Sequence, residues 1–401
     1  MPALMKHWRH AWTISLFLLL CAGARTQPVD QVALESLLHS SGFPDATCYL
    51  SGDTLMITYD RSRYRPSAPA TGKLLDQLDS IGLIPGTHLV VWWTDRHVQT
   101  AGFDIPLKEG QVDRGSLVWS MAPGPWRDRD FRRRSGRFSN WTAEFRLDPQ
   151  LRFSFGSQED PVRMQANILP TLDCRLWSGA MVTLQYVIPV WNELDIPEEK
   201  HPRPSLITLS QNFRWGRSAY GRLTVGYFRS WRYGGRLEVG RYLFNDRLFM
   251  GGRIGLTGYA SWPRRLSLPK PEPGWQVSDP EAVDWLLTAG WRFHRQDVQI
   301  LASAGQTLAS KTLLRAQVAR QFRQTTVELF VESLESDMNF GARVRIPIPF
   351  IRWFPQRRLA FCTGQFLDYR YNGTQVYPEA YDTGQQYPFM MDNVHPELIL
   401  R

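Results

Sequence analysis

Lysine is scarce in this chain. It occurs only at Lys6, Lys73, Lys108, Lys200, Lys270 and Lys311, so the net charge of +9 rests almost wholly on arginine. Cysteine is scarcer still: Cys21, Cys48, Cys174 and Cys362. Removal of a leader leaves three, an odd count with no short spacing. That excludes a disulfide framework and a CxxC metal site, and it reads as isolated half-buried thiols. A Cys174–Cys362 bridge stays open at this level. Beyond the first twenty-odd residues no apolar run is long enough for a membrane helix, and mean hydropathy is −0.33, which excludes a helical membrane bundle. There is no GxSxG, HExxH or Walker loop. His39, His88, His97, His201, His294 and His395 are scattered, with no paired ligands. We expect no catalytic residue, no metal and no cofactor.

What is present begins with the N-terminus. Lys6, Arg9 and His10 precede the short apolar core Ala11 to Leu20, and Ala22-Gly23-Ala24 follows as a cleavage site. This is the pattern of a secretory signal peptide over residues 1–24. Leu20 before Cys21 is too bulky for a lipidation motif. A secreted basic protein has no nucleic acid as its natural partner. Its anionic partner is then a lipid headgroup or an acidic polymer, for which arginine supplies bidentate contacts.

Residues 25–119 read as a small α/β module. Helical spacing over Val29 to Leu38 leads to short strands at Thr47–Leu50 and Thr54–Tyr59. A second helix, Gly72 to Ile81, leads to strands at Leu89–Trp93 and His97–Phe103. The order αββαββ suits a periplasmic module. Residues 120–139 form a Pro/Gly-punctuated linker carrying Arg127, Arg129, Arg132, Arg133, Arg134 and Arg137. It serves either as a solvated hinge or as a basic arm on anionic headgroups or polymer.

Beyond Asn140 the period changes to two. Trp141, Ala143, Phe145 and Leu147 alternate with polar neighbours, and Leu151, Phe153 and Phe155 repeat the pattern. It returns at 178–188, 205–215, 218–229, 233–243, 246–258, 284–293, 297–306, 311–321, 324–334, 338–347 and 359–370. A strand is expected somewhere in 158–177 or is missing there. The segment 348–358 is long where a tight turn was due. Tight breaks at 216–217, 244–245, 294–296 and 322–323 alternate with longer ones, notably 189–204 and 259–283. Aromatic residues gather at segment ends, among them Tyr186, Trp191, Trp215, Tyr227, Tyr242, Trp285, Trp291 and Tyr369.

These signs predict a mainly β protein: an antiparallel transmembrane β-barrel of about 12 to 14 strands over residues 140–371, with residues 372–401 as a C-terminal tail. Phe340, Ala342, Val344 and Ile346 are expected to face lipid, and Arg343 and Arg345 a wet lumen. The same alternation turns Arg146, Arg222, Arg236, Arg253, Arg292 and Arg315 inward, together with Glu144, Glu238, Glu328 and Glu332. An arginine surplus there would concentrate an acidic glycan. Alternatively the charges pair with one another and plug the barrel. Glu328 and Glu332 fit a glycosidase acid/base pair on paper, but neutralising luminal arginines is the plainer role.

One further pattern bears on function. The stretch "LHSSGFPDATCYLSGDTLMITYDRSRYR" contains Gly42-Phe43, Asp53-Thr54-Leu55, Tyr59-Asp60 and Tyr64-Arg65, and "GKLLDQLDSIGLIPGTHLVVWW" follows. Together with Gly341-Ala342-Arg343-Val344-Arg345-Ile346-Pro347, these elements resemble the YjbH/GfcD-type outer-membrane proteins associated with exopolysaccharide and capsule. The likeness covers roughly residues 30 to 370. Longer members carry an additional barrel-like N-terminal half that is missing here, so the chain resembles their C-terminal half. The resemblance implies export or surface assembly of an anionic polysaccharide at the outer membrane. It also implies docking of other envelope proteins on the periplasmic module, and a second barrel-like partner. A general porin or uptake channel, or a barrel enzyme acting on envelope lipid or glycan, is the alternative.

Overall fold

The computed structural model describes residues 31–51, 53–59, 67–81, 88–95, 98–108, 111–113, 118–120, 142–155, 162–193, 200–215, 219–229, 231–244, 247–261, 276–293, 296, 298–307, 310–322, 325–349, 352–353, 359–364 and 366–372. The leader 1–24, the linker after Ser120 and the tail after Asn372 lie outside the described residues.

In the N-terminal unit, helix α1 (Gln31–Ser40) precedes the hairpin β1 (Thr47–Ser51) and β2 (Thr54–Tyr59). Helix α2 (Ser67–Ile81) precedes β3 (His88–Asp95) and β4 (Val98–Lys108), with short β5 (Gln111–Val112) and β6 (Val118–Ser120) beside β4. Strands β2 and β3 pair in parallel, which needs the crossover that α2 supplies. The αββ repeat read from the sequence is therefore present, with α2 starting five residues earlier than expected. Leu34, Leu38, Leu74, Leu75 and Leu78 on the helices bury against Leu55, Ile57, Leu89, Val91, Phe103 and Ile105 on the strands. Helix α1 stops at Gly42, whose φ of 109° is left-handed, and the Phe43 N–H reaches back to the Leu38 carbonyl at 3.0 Å.

The second unit is a closed barrel of 13 strands. Its members are β7 (Thr142–Phe155), β8 (Val162–Arg175), β9 (Ala180–Asn192), β10 (Arg203–Trp215), β11 (Ala219–Phe228), β12 (Arg232–Leu243) and β13 (Leu248–Ser261). After the two-residue β14 (Gln276–Val277), which pairs only with β13, come β15 (Ala282–Phe293), β16 (Val298–Gln306), β17 (Thr312–Phe322), β18 (Thr325–Leu334) and β19 (Asp337–Pro347). Strand β20 (Arg352–Trp353) continues β19 past Pro347, and β21 (Leu359–Thr363) and β22 (Phe366–Asn372) return antiparallel to it. The long 348–358 break thus lies within the last hairpin, between β19 and β21.

Two open points in the sequence are resolved. The alternating stretches up to Leu147 and from Leu151 belong to one strand, β7, in which Pro149 lies in extended chain opposite Ile168. The unsettled stretch 158–177 holds a full strand, β8, whose Pro170 obscured its period.

An odd strand number has a geometric consequence. Every sequential neighbour is antiparallel, so the first and last strands must run the same way. The ring closes through parallel pairing of β7 with β21 and β22. The strand that opens the barrel therefore starts at the short-turn rim, and the one that closes it ends at the opposite rim, which carries the long connections 193–202 and 262–281. Among the described residues, no helix is long and apolar enough to cross a membrane, a statement that does not apply to strands.

Candidate functional site

The barrel is inside out relative to a water-soluble protein. Large apolar side chains point outward and stay uncovered: Ile254 is 53% exposed, Leu287 61% and Leu329 61%, while the inward Arg146 is 3% and Glu332 2%. On β15 the outward row Val283, Trp285, Leu287, Ala289, Trp291 and Phe293 spans ten residue steps. At ~3.3 Å per residue that is about 33 Å along the strand. With a tilt of about 45° it gives a band about 23 Å tall, close to the height of a bilayer's apolar layer. Exposed Trp177, Trp215, Phe244, Phe293 and Phe322 lie at the short-turn end, and Trp191, Tyr259 and Trp285 toward the other. Tyr227 and Tyr242, expected in these girdles, are buried. Tyr242 shares the parity of Arg236 and Glu238 and packs inward near Tyr220 and Phe249.

By their ladder partners the ten candidate residues share the inward face of the wall, and nine of them fall in three groups. Residues paired across a ladder share a face, so each inward row can be followed from strand to strand. The largest group spans β17, β18, β19 and β22. Arg315 donates to Glu328 at 2.7 Å. Glu332 accepts from Asn339 Nδ2 at 2.6 Å and from Arg370 Nη2 at 3.1 Å. Arg343 makes a two-pronged contact with Asp368 through Nε and Nη2, and Arg345 lies opposite Asp368 in the ladder. The ring of Phe330 carries the guanidinium of Arg370 at 4.5 Å and that of Arg315 at 5.1 Å, each contact attractive through the ring quadrupole.

A second group follows the row Asn212, Arg222, Glu238 and Arg253 across β10 to β13. Arg222 Nε donates to Asn212 Oδ1 at 2.8 Å. Arg236 lies 3.8 Å from Glu238, and Arg253 3.9 Å from Asp284. Arg292 lies further along β15, opposite Gln299 on β16. The third group surrounds Arg146, which reaches Asp173 at 2.9 Å and Asp148 at 3.5 Å. Thr183 donates to Asp173, and from Asp148 a chain of hydrogen bonds runs through Thr171, Gln185, Ser205 and Arg229.

Asp148, Asp173, Asp284 and Asp368, together with Arg370 and Phe330, were missed in the sequence. Alternation alone turns them inward. Their roles, however, depend on pairing between strands far apart in the chain, which only the register reveals. Glu328 and Glu332 are four residues apart on one strand, about 13 Å between α-carbons, and each is already engaged by a guanidinium. Cys174 faces outward, Cys362 is buried on the inward side, and both are free thiols, as is Cys48. Among the described residues, no group of His, Cys, Asp and Glu is arranged to hold a metal ion. Chemically, the inward wall offers planar guanidinium donors in excess over carboxylates, held in place by ion pairs and aromatic contacts. No protein-family model matches the chain, and no curated protein is similar to it.

Proposed function

We propose that this protein spans the outer membrane and takes part in exopolysaccharide or capsule export or surface assembly. In this reading an anionic glycan is bound or passed along the arginine-rich lumen. The observation that carries the membrane reading is the inverted wall: exposed apolar residues outside, buried arginine and carboxylate inside. Lipid covers the outer band, and the two aromatic girdles sit at its interfaces. The glycan reading is supported by the surplus of arginine over carboxylate on the inner wall and by the sequence resemblance. Guanidinium groups match sugar carboxylates geometrically, and a wall with a net basic balance concentrates a polyanion. The α/β module then docks another envelope component.

Single-channel conductance in planar bilayers, with and without an acidic polysaccharide, tests this. The expected result is a stable pore that the polymer blocks, with the block weakened by Arg343→Ala combined with Arg345→Ala. A pore indifferent to the polymer would identify a general porin instead. Silence at every voltage would mean a plugged barrel and would move the function to the module.

A further inference from the structure

Two ladder pairs of like chemistry line the inner wall at one height. Ser210 on β10 stands opposite Thr224 on β11, and Thr288 on β15 opposite Ser303 on β16. Each of the four lies five positions from the short-turn end of its strand, at Trp215, Ala219, Phe293 and Val298 respectively. All four side chains are short, yet their surroundings differ. Ser210 and Thr224 are 5% and 2% exposed, whereas Thr288 and Ser303, hydrogen-bonded to each other at 2.9 Å, are only half-buried.

Neighbouring side chains do not account for the covered pair. The longer residues beside it in the same row are Met181 and Arg236, and they are themselves 6% and 2% exposed. On the other side the corresponding neighbours are Gly251 and Arg315, and the Arg315 side chain is 23% exposed. A ring of 13 strands, ~4.8 Å apart and tilted about 45°, is about 28 Å across between backbones. That is wider than the eight-strand barrels that inward side chains can fill. A short residue on such a wall meets water unless more protein stands in front of it.

Along β9 to β12 more protein does stand there. The cover is on the lumen side, because Ile207 and Leu209 on the outer face of β10 remain exposed. Strand β4 of the N-terminal unit packs against β10. The sheet of that unit has a matching face. Met56, Val90 and Trp92 alternate with the residues packed under α1 and α2, and they are buried although both helices lie on the opposite face.

We infer that the lumen is divided. The N-terminal unit seats against the inner wall at β9 to β12 through the helix-free face of its sheet, and the aqueous path runs along β15 to β19. The inference rests on the reading of the barrel as a glycan conduit and names the part of the wall that the polymer meets. Arg315, Arg343 and Arg345, all partly exposed, line the path. Arg222 and Arg236 are sealed and brace the seat. A glycan on this path lies against one arginine-bearing sector rather than inside a basic ring.

The test uses the full chain in detergent micelles with one cysteine introduced at a time: Ser210→Cys, Thr224→Cys, Thr288→Cys or Ser303→Cys. A small anionic methanethiosulfonate is the reagent, adduct mass is the readout, and the parent corrects for Cys48, Cys174 and Cys362. Heat-modifiable migration checks that each barrel is folded. Thr288→Cys and Ser303→Cys should react about tenfold faster than the other two, the ratio set by an opening that costs about 1.4 kcal/mol. Equal rates on the two sides would overturn the divided lumen, and so would protection of all four positions. A photo-crosslinking benzophenone side chain at Thr208, inward on β10, should capture β4; capture confined to barrel strands would overturn the seat. Polygalacturonate added before the reagent should slow Ser303→Cys. Unequal rates without that protection would overturn the glycan reading and leave the divided lumen standing.

Discussion

Glu332 is the carboxylate on which the largest inward cluster converges, and its removal tests whether that cluster is desolvated. Its side chain is 2% exposed and accepts from Asn339 at 2.6 Å and from Arg370 at 3.1 Å. Glu332→Ala leaves the Arg370 guanidinium facing the ring of Phe330 with its carboxylate gone. Breaking a buried pair from one side costs roughly 3–5 kcal/mol. Glu332→Gln keeps a carbonyl for Asn339 and loses only the charge, for roughly 1–3 kcal/mol. Replacing both partners, Glu332→Met with Arg370→Met, should recover more than half of the Ala loss, because no charge is then stranded. Urea unfolding from phospholipid vesicles, followed by tryptophan fluorescence at constant m, gives all three values. If Glu332→Ala falls within about 0.5 kcal/mol of the parent, the cluster is water-filled and the reasoning fails.

Ile254→Arg, in the middle of the outer band, should cost roughly 2–4 kcal/mol in the same assay, whereas a rim position such as Phe322→Arg should cost about 1 or less; equal costs would refute the assigned membrane depth. Gly234→Ala should reduce stability by more than about 2 kcal/mol, because φ is 146° and a Cβ would lie 2.1 Å from the Leu256 carbonyl oxygen. In the α/β module, burial and then Glu35 push the Cys48 thiol up, and burial pushes the Tyr59 phenol up. Both neutral forms are favoured in the fold, so their stabilisation is complete below the ordinary values of 9.0 and 10.0 and is lost as pH rises above them. Module stability should fall above about pH 9, and native Cys48 should resist iodoacetamide at about pH 8 until the module unfolds; rapid alkylation of folded protein would contradict this.

The inward and outward faces were legible because a closed barrel wall with unlike sides enforces period two: Met250, Ile254 and Leu256 on one side, Arg253 and Thr257 on the other. Strand count was less legible. Pro149 in β7 and Pro170 in β8 carry the mark of a turn, yet both lie in extended chain where a ladder bond can be spared. The seam was not legible at all. Nothing local announces that β7 and β22 meet, since their pairing follows from the parity of the whole ring. The same holds for Arg343 with Asp368 and Arg146 with Asp173. Each residue reads as inward in isolation, and only the register between strands makes it an ion pair.

The parity of the ring also sets an order of assembly. Twelve of the thirteen junctions join strands consecutive in the chain, most of them through connections of a few residues, and such local contacts form early at little loop-closure cost. The junction of β7 with β21 and β22 spans more than two hundred residues and has no hairpin to guide it. A sheet that grows strand by strand from β7 onward carries two open edges until that junction forms. Closure is therefore the slow step, and variants that weaken the Ala143–Leu147 pairing should accumulate an open, fully hairpinned sheet rather than an unfolded chain.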